Sequence, residues 1–294
     1  MLNAPRKAPE VNALRATKKS TAEIEIADLR KITEVIQQRY RYDFSDYAMS
    51  SFKRRIQRIL EMFDIPSAGK LIEKLETNAL FFEQFLSEVT VNVTEMFRDP
   101  SFWREIRDHV IPSIQLNHET FSIWHAGCSS GEEVASMCIL LHEMNMLDKV
   151  NIIATDIDKP VLKKAQQHAY PIKNMELNEK NYIRFQGTAQ LQDYYTEKNG
   201  QAVLHPSLFE RVSYRNYDLV QGHLFNKFDL ILCRNVMIYF NQNLQNKVLH
   251  KLHGSLFKYG YLAVGSKESL IWCEIANKFI IANNEEKLYK KIKE

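Results

Sequence analysis

Apolar positions recur along this chain with two different periods. Between 20 and 90 they return every three or four residues, the spacing of helices that bury one face. Ile26, Leu29, Ile32 and Ile36 mark the first helix, which a Ser20-x-x-Glu23 capping box is expected to start. Phe52, Ile56, Ile59, Leu60 and Phe63 mark a second over 46–62, closed by Pro66, and two further helices are predicted over 67–76 and 80–89. Beyond residue 100 the pattern changes to short β-branched and aromatic runs at 121–126, 151–155, 211–217, 228–233 and 261–264. Helical patterns run from Val134 through Leu141 and over 160–170 and 243–257 between them. That alternation predicts an α/β sheet with mostly parallel strands. The run 228–233 (FDLILC) reads as a buried central strand, and 279–292 as a closing antiparallel hairpin. Lys198-Asn-Gly200 followed by alternating residues predicts another hairpin, so 171–210 is expected to be a small β-subdomain inserted in the sheet domain.

The predicted organisation is therefore a disordered basic tail over 1–20, a helical domain over 21–90, a linker over 91–100 and the sheet domain over 101–294. The length of 294 residues, 45% hydrophobic and 26% charged, suits one full core and a smaller one. A net charge of +3 is too small to announce nucleic acid or a membrane surface. Cys128, Cys138, Cys233 and Cys273 show no C-x-x-C spacing, so neither a zinc site nor a disulfide framework is indicated, and reduced thiols in the cytoplasm are expected. His250 and His253 on one predicted helix lack an accompanying carboxylate motif and read as surface histidines; no metal site is assigned.

The chemistry concentrates at strand ends. In 121–133 (FSIWHAGCSSGEE) an apolar strand stops at Gly127 and a helix opens after Gly131. Such a turn lets a ligand lie against bare backbone. The spacing is neither a dinucleotide fingerprint nor a P-loop, and Glu132 and Glu133 at the helix start would repel a phosphate. S-adenosylmethionine, a nucleoside with a sulfonium and an amino acid tail, fits that environment. Asp156 ends the second strand roughly 25 positions after Gly131, near the spacing of carboxylates that accept ribose hydroxyls, whereas Asp158 reads as the cap of the next helix. In the linker, Asn92, Thr94 and Arg98 interleave with Val93, Met96 and Phe97, which would anchor the segment and aim the polar groups into an interdomain cleft. Arg54, Arg55 and Arg58 share one face of the second helix, read either as a solvated face or as a docking stripe for an acidic protein surface.

With NVTEMFRD, WHAGCSSGEE, ATDID and FDLILCRNVMIYF in place, the chain resembles the CheR-type chemotaxis receptor methyltransferases, from about the first helix to the last strand. The resemblance implies a class I S-adenosylmethionine-dependent methyltransferase sheet with an N-terminal all-helical domain and a small β-subdomain. Its implied activity is esterification of glutamate side chains on the cytoplasmic helical domain of a chemoreceptor, yielding S-adenosylhomocysteine. Carried over by position, the cofactor contacts are Asn92, Thr94, Arg98, Glu133, Asp156, Asp218, Leu219, Arg234 and Asn235, alongside Gly127 from the glycine turn. Arg98 and Tyr239 are implied to border the methyl group and the incoming glutamate. The family usually has Asn where this chain has Asp218, which can accept an adenine N–H but not donate. The short loop at 196–200 implies no binding of a receptor C-terminal pentapeptide, and Ile59 and Glu61 thin the basic helix. A monomer is expected.

A glutamate carboxylate arrives ionised, so no general base is required. Arg98 is expected to orient it, and Tyr239 to offer a hydroxyl to it and a ring face to the sulfonium. Rival readings are a nucleic-acid methyltransferase, whose Asn/Asp-Pro-Pro-aromatic and Pro-Cys motifs are absent, a non-catalytic S-adenosylmethionine-binding module, and the same chemistry on another signalling protein.

Overall fold

A computed structural model describes residues 24–90, 94–223 and 226–294. The basic tail, the Ser20-x-x-Glu23 capping box and Asn92 lie outside the described residues. Four helices form the N-terminal unit: α1 Ile26–Tyr40, α2 Met49–Met62, α3 Ala68–Thr77 and α4 Ala79–Val89. Helix α1 starts with a different capping box from the one expected: Glu25 and Asp28 bond each other's backbone N–H. Ser67 and Asn78 cap α3 and α4. The apolar stripes close on each other, with Leu29, Ile32, Phe52, Ile56, Leu71 and Phe85 buried in one cluster.

The chain then enters α5 Pro100–Glu105, passes through a π-helical turn at Ile106–Val110 into α6 Ile111–Gln115, and begins the sheet. The alternation is β1 Phe121–Ala126, α7 Glu132–Glu143, β2 Val150–Asp156, α8 Lys159–Ala165, β3 Ala169–Pro171, α9 Ile172–Phe185, β4 Tyr195–Lys198, β5 Gln201–Leu204, β6 Val212–Asn216, β7 Phe228–Cys233, α10 Gln242–Gly254, β8 Leu256–Val264, β9 Phe279–Asn283 and β10 Leu288–Lys291. Seven strands pair in the order β6-β2-β1-β7-β8-β10-β9. The first five are parallel, and β10 runs antiparallel to both β8 and β9. Every residue of β7 is buried, as a central parallel strand requires. Strand order reverses beside β1, so the carboxyl ends of β1, β2 and β7 open onto the crevice where such sheets bind ligands.

The inserted subdomain is the antiparallel sheet β3-β5-β4, with Asn199 and Gly200 as a two-residue turn. Helix α9, which the sequence pattern did not reveal, lies within it. Two of its buried positions are Asn178 and Asn181, polar because they bind the linker: the Met96 N–H donates to Asn178 Oδ1 and Asn181 Nδ2 donates to the Met96 carbonyl. His253 is a correction too, since it is buried beside Phe279 with Nε2 bonded to the Lys293 carbonyl, while His250 faces Glu274. Among the described residues no helix is long and apolar enough to cross a membrane.

The helical unit is stitched to the sheet domain beside Tyr239. Tyr47 and Phe240 form an antiparallel bridge, the Ala48 N–H donates to the Tyr239 carbonyl (2.9 Å), and the Asn241 N–H donates to the Asp46 carbonyl (2.9 Å). Lys247 adds an ion pair to Asp46.

Candidate active site

A cleft of about 1080 Å³, counting its open mouth, lies between the two units at the carboxyl ends of β1, β2 and β7. Thr94, Arg98, Gly127, Glu133, Asp156, Asp218, Leu219, Arg234, Asn235 and Tyr239 all line it. Every sequence-assigned cofactor and catalytic residue that is described thus meets in one cavity.

The floor is the glycine turn. The N–H groups of Gly127 and Cys128 both donate to the Thr155 carbonyl, folding the chain back over β2. Gly127 has φ +86°, and a Cβ there would stand 2.6 Å from Val236 Cγ2, so only glycine fits. Ser129, at φ +51°, turns its N–H onto Asp156 Oδ2 at 2.8 Å. Asp156 Oδ1 accepts from the Asp158 N–H at 2.9 Å, while Asp158 caps α8 by accepting from Val161. Burial raises the Asp156 pKa to about 6 against these amides.

Glu133, in the first turn of α7, is held from two sides. His125 Nδ1 lies 2.8 Å from Oε1, and Arg234 Nη1 lies 3.3 Å from Oε2. Burial pushes its pKa up, but these partners outweigh burial and hold the carboxyl below its usual range. Arg234 also donates to Asp99 Oδ2 at 2.6 Å, and its guanidinium sits 3.9 Å from the centre of the Phe102 ring. Its buried Nε has no hydrogen-bond partner among the described residues. The Arg234 charge is therefore matched by two protein carboxylates, which makes it first a holder of Glu133 and Asp99.

On the opposite wall, Asp218 Oδ1 accepts from the N–H groups of Val220 and Gln221, and burial raises its pKa. Lys251 clamps the same loop by donating to the carbonyls of Leu219 and Val220 (2.7 and 2.9 Å). Tyr239, which lines the same cleft, ends a 3₁₀ turn that follows β7. The Arg55 guanidinium lies 4.1 Å from the Tyr239 ring centre, so one ring face is already covered by a cation.

That placement corrects the expected exposed stripe. Arg54 and Arg58 are exposed on α2, but Arg55 is only 8% exposed, and its Nη1 donates to the Val89 carbonyl. Helical spacing puts the three side by side without showing that the sheet domain covers one of them. Sequence reasoning also missed His125, Asp99 and Lys251. Only His125, a polar residue inside an apolar strand, carried a visible signal.

The residue set fits S-adenosylmethionine: a side-chain-free position at Gly127, carboxylate acceptors at Asp156 and Asp218, and the anionic Glu133.

Residues 92–287 match the model of the CheR methyltransferase S-adenosylmethionine-binding domain, and residues 27–90 that of the CheR methyltransferase all-alpha domain. Cher3 of Pseudomonas putida is 36% identical over 264 residues, covering 90% of this chain and 96% of that protein. A chemotaxis protein methyltransferase of Listeria innocua is 29% identical, covering 84% of this chain and 93% of its own. Chemotaxis protein methyltransferase 1 of Pseudomonas aeruginosa is 30% identical, with 76% and 82% covered. With the helical unit matching the CheR all-alpha domain and the sheet domain matching the CheR S-adenosylmethionine-binding domain, this chain belongs to the CheR methyltransferase family.

Proposed function

We propose that this protein methylates glutamate side-chain carboxylates of chemoreceptors. The observation that carries the reading is that one cleft is lined both by the carboxylates Asp156, Glu133 and Asp218 and by Arg98 and Tyr239. S-adenosylmethionine, when bound, supplies an electrophilic methyl group carried on a sulfonium. Asp156 accepts the ribose hydroxyls, Asp218 accepts the adenine amino N–H, and Glu133 faces the cationic end. Thr94 and Asn235 complete the wall, with Asn92 assigned by resemblance alone.

Arg98 and Tyr239 orient the incoming carboxylate. A glutamate with a pKa of about 4.3 is ionised at neutral pH and already nucleophilic, so these residues do not need to remove a proton. Holding nucleophile and methyl carbon in attack geometry lowers such a barrier by up to roughly 7 to 11 kcal/mol. Arg55 occupies one face of Tyr239, which leaves the hydroxyl and the other face for substrate. Exposed Arg54 and Arg58 give α2 a cationic rim for an acidic receptor helix. The two-residue turn Asn199–Gly200 is a small feature on which to seat a receptor tail, so docking proceeds without pentapeptide capture.

Incubation with methyl-labelled cofactor and membranes of its own cells, followed by peptide mapping of the labelled protein, tests the target atom. Methyl esters on glutamates of a helical receptor segment are expected. Methyl groups on nitrogen, or on a protein other than a receptor, overturn the assignment.

A further inference from the structure

The segment Asn235–Tyr239 carries two of the cleft's working side chains, yet its backbone is irregular. Asn235 has φ +61°, a left-handed conformation that asparagine tolerates better than most residues and that its surroundings here impose. The imposing group lies across the β8–β9 connection. Glu268 is 6% exposed, and its two carboxylate oxygens divide the segment between them. Oε2 accepts the Asn235 N–H at 3.0 Å, and Oε1 accepts the Ile238 N–H at 3.0 Å. Oε2 also accepts from Gly265 N–H, and the Glu268 N–H closes the turn onto the Gly265 carbonyl at 2.8 Å. The fit is tight: a Cβ on Gly265 would stand 2.6 Å from Asn235 Nδ2 and 2.7 Å from Glu268 Oε2. Burial raises the Glu268 pKa, opposed by the backbone N–H groups of Gly265, Asn235, Ile238 and Met237.

We infer that Glu268 is a positioning residue for methyl transfer, a carboxylate that latches the backbone of Asn235–Tyr239 from behind and so sets where Asn235 and Tyr239 enter the cleft. It does not line the cleft itself and acts through the segment it holds. One carboxylate pinning two amides three residues apart fixes both the position and the rotation of the turn. Neutral Gln at 268 would offer one acceptor oxygen and turn an NH₂ donor against a backbone N–H.

The inference rests on the methyl-transfer reading of this cleft, so its first test needs neither cofactor nor substrate. In the full-length protein, Glu268→Gln should speed amide hydrogen exchange at Asn235 and Ile238 by at least about tenfold, while α10 is unchanged. Unchanged exchange at those two amides overturns the latch. The second test separates positioning from general stability. With labelled cofactor and receptor-containing membranes, Glu268→Gln should lower turnover by about tenfold in the parent and less than about twofold in a Tyr239→Phe background. Equal losses in both backgrounds overturn it. If Glu268→Gln does not fold, Gly265→Ala disturbs the same contact from the other side and is read in the same two ways. A parent protein that labels no glutamate contradicts the proposed function and leaves the exchange result to decide the latch.

Discussion

The guanidinium of Arg55 lies 4.1 Å from the centre of the Tyr239 ring while its Nη1 donates to the Val89 carbonyl. One residue of the helical unit thus ties the end of α4 to a phenol that lines the cleft. Replacing Arg55 with Met removes a charged buried hydrogen bond, costing about 1.5 to 3 kcal/mol, and a cation–π contact of about 0.5 to 2 kcal/mol. Turnover should fall by at least about tenfold with S-adenosylhomocysteine affinity held within about threefold, as the substrate-side role proposed for Tyr239 requires. Arg55→Lys should recover only part of the stability, because an ammonium does not stack as a guanidinium does. Methyl-transfer assays, calorimetry and urea unfolding check the turnover, the affinity and the stability in turn.

Glu132 gives the fold a defined pH dependence. Burial raises its pKa to about 7, and that of Asp156 to about 6, both above their unfolded values. The folded state therefore holds extra protons, and the stability these groups contribute is present in full below pH of about 4 and lost as pH rises through 6 to 7. Glu132→Gln should stabilise the protein at pH 8 by up to roughly 3 kcal/mol and change nothing near pH 4. Urea midpoints at the two pH values measure this. A stabilisation that persists at pH 4 would place its origin outside the Glu132 proton.

Arg234 is the buried cation between Glu133 and Asp99. Arg234→Met leaves two carboxylates without their partner and should destabilise by about 3 to 5 kcal/mol. Adding Glu133→Gln should return part of that loss, as seen by thermal unfolding, while keeping cofactor affinity low, as the role proposed for Glu133 requires.

Gly127→Ala places a methyl 2.6 Å from Val236 Cγ2 on a backbone with φ +86°. S-adenosylhomocysteine affinity should weaken by at least about tenfold, the equivalent of about 1.4 kcal/mol. The double variant Gly127→Ala/Val236→Ala should recover part of it by calorimetry, because the clash disappears and only the backbone strain remains.

Much of this architecture is legible in the sequence wherever one local rule settles the outcome. FDLILC has no polar position to expose except Asp229, so it can only be a central strand; Asn-Gly makes the β4–β5 turn; Asp158 caps α8. Gly127, Asp156, Asp218 and Arg234 are legible because they follow strand ends, where this kind of sheet presents its ligands. What escaped depends on contacts between distant segments. Helix α9 hides because its buried face includes Asn178 and Asn181, which answer to the linker and not to an apolar core. Arg55 looks like its exposed neighbours until Tyr239 comes to lie on it. Glu268 sits in a loop with no periodicity, and its meaning lies in backbone amides about 30 residues away.

The central claim is that the cleft makes carboxyl methyl esters. Its most direct measurement is treatment of the labelled products with mild alkali, which hydrolyses such esters to volatile methanol and leaves N-methyl groups attached. Label is expected to leave a membrane-bound protein band as methanol, and Tyr239→Phe to slow the labelling with cofactor affinity preserved. Label that survives alkali would contradict it.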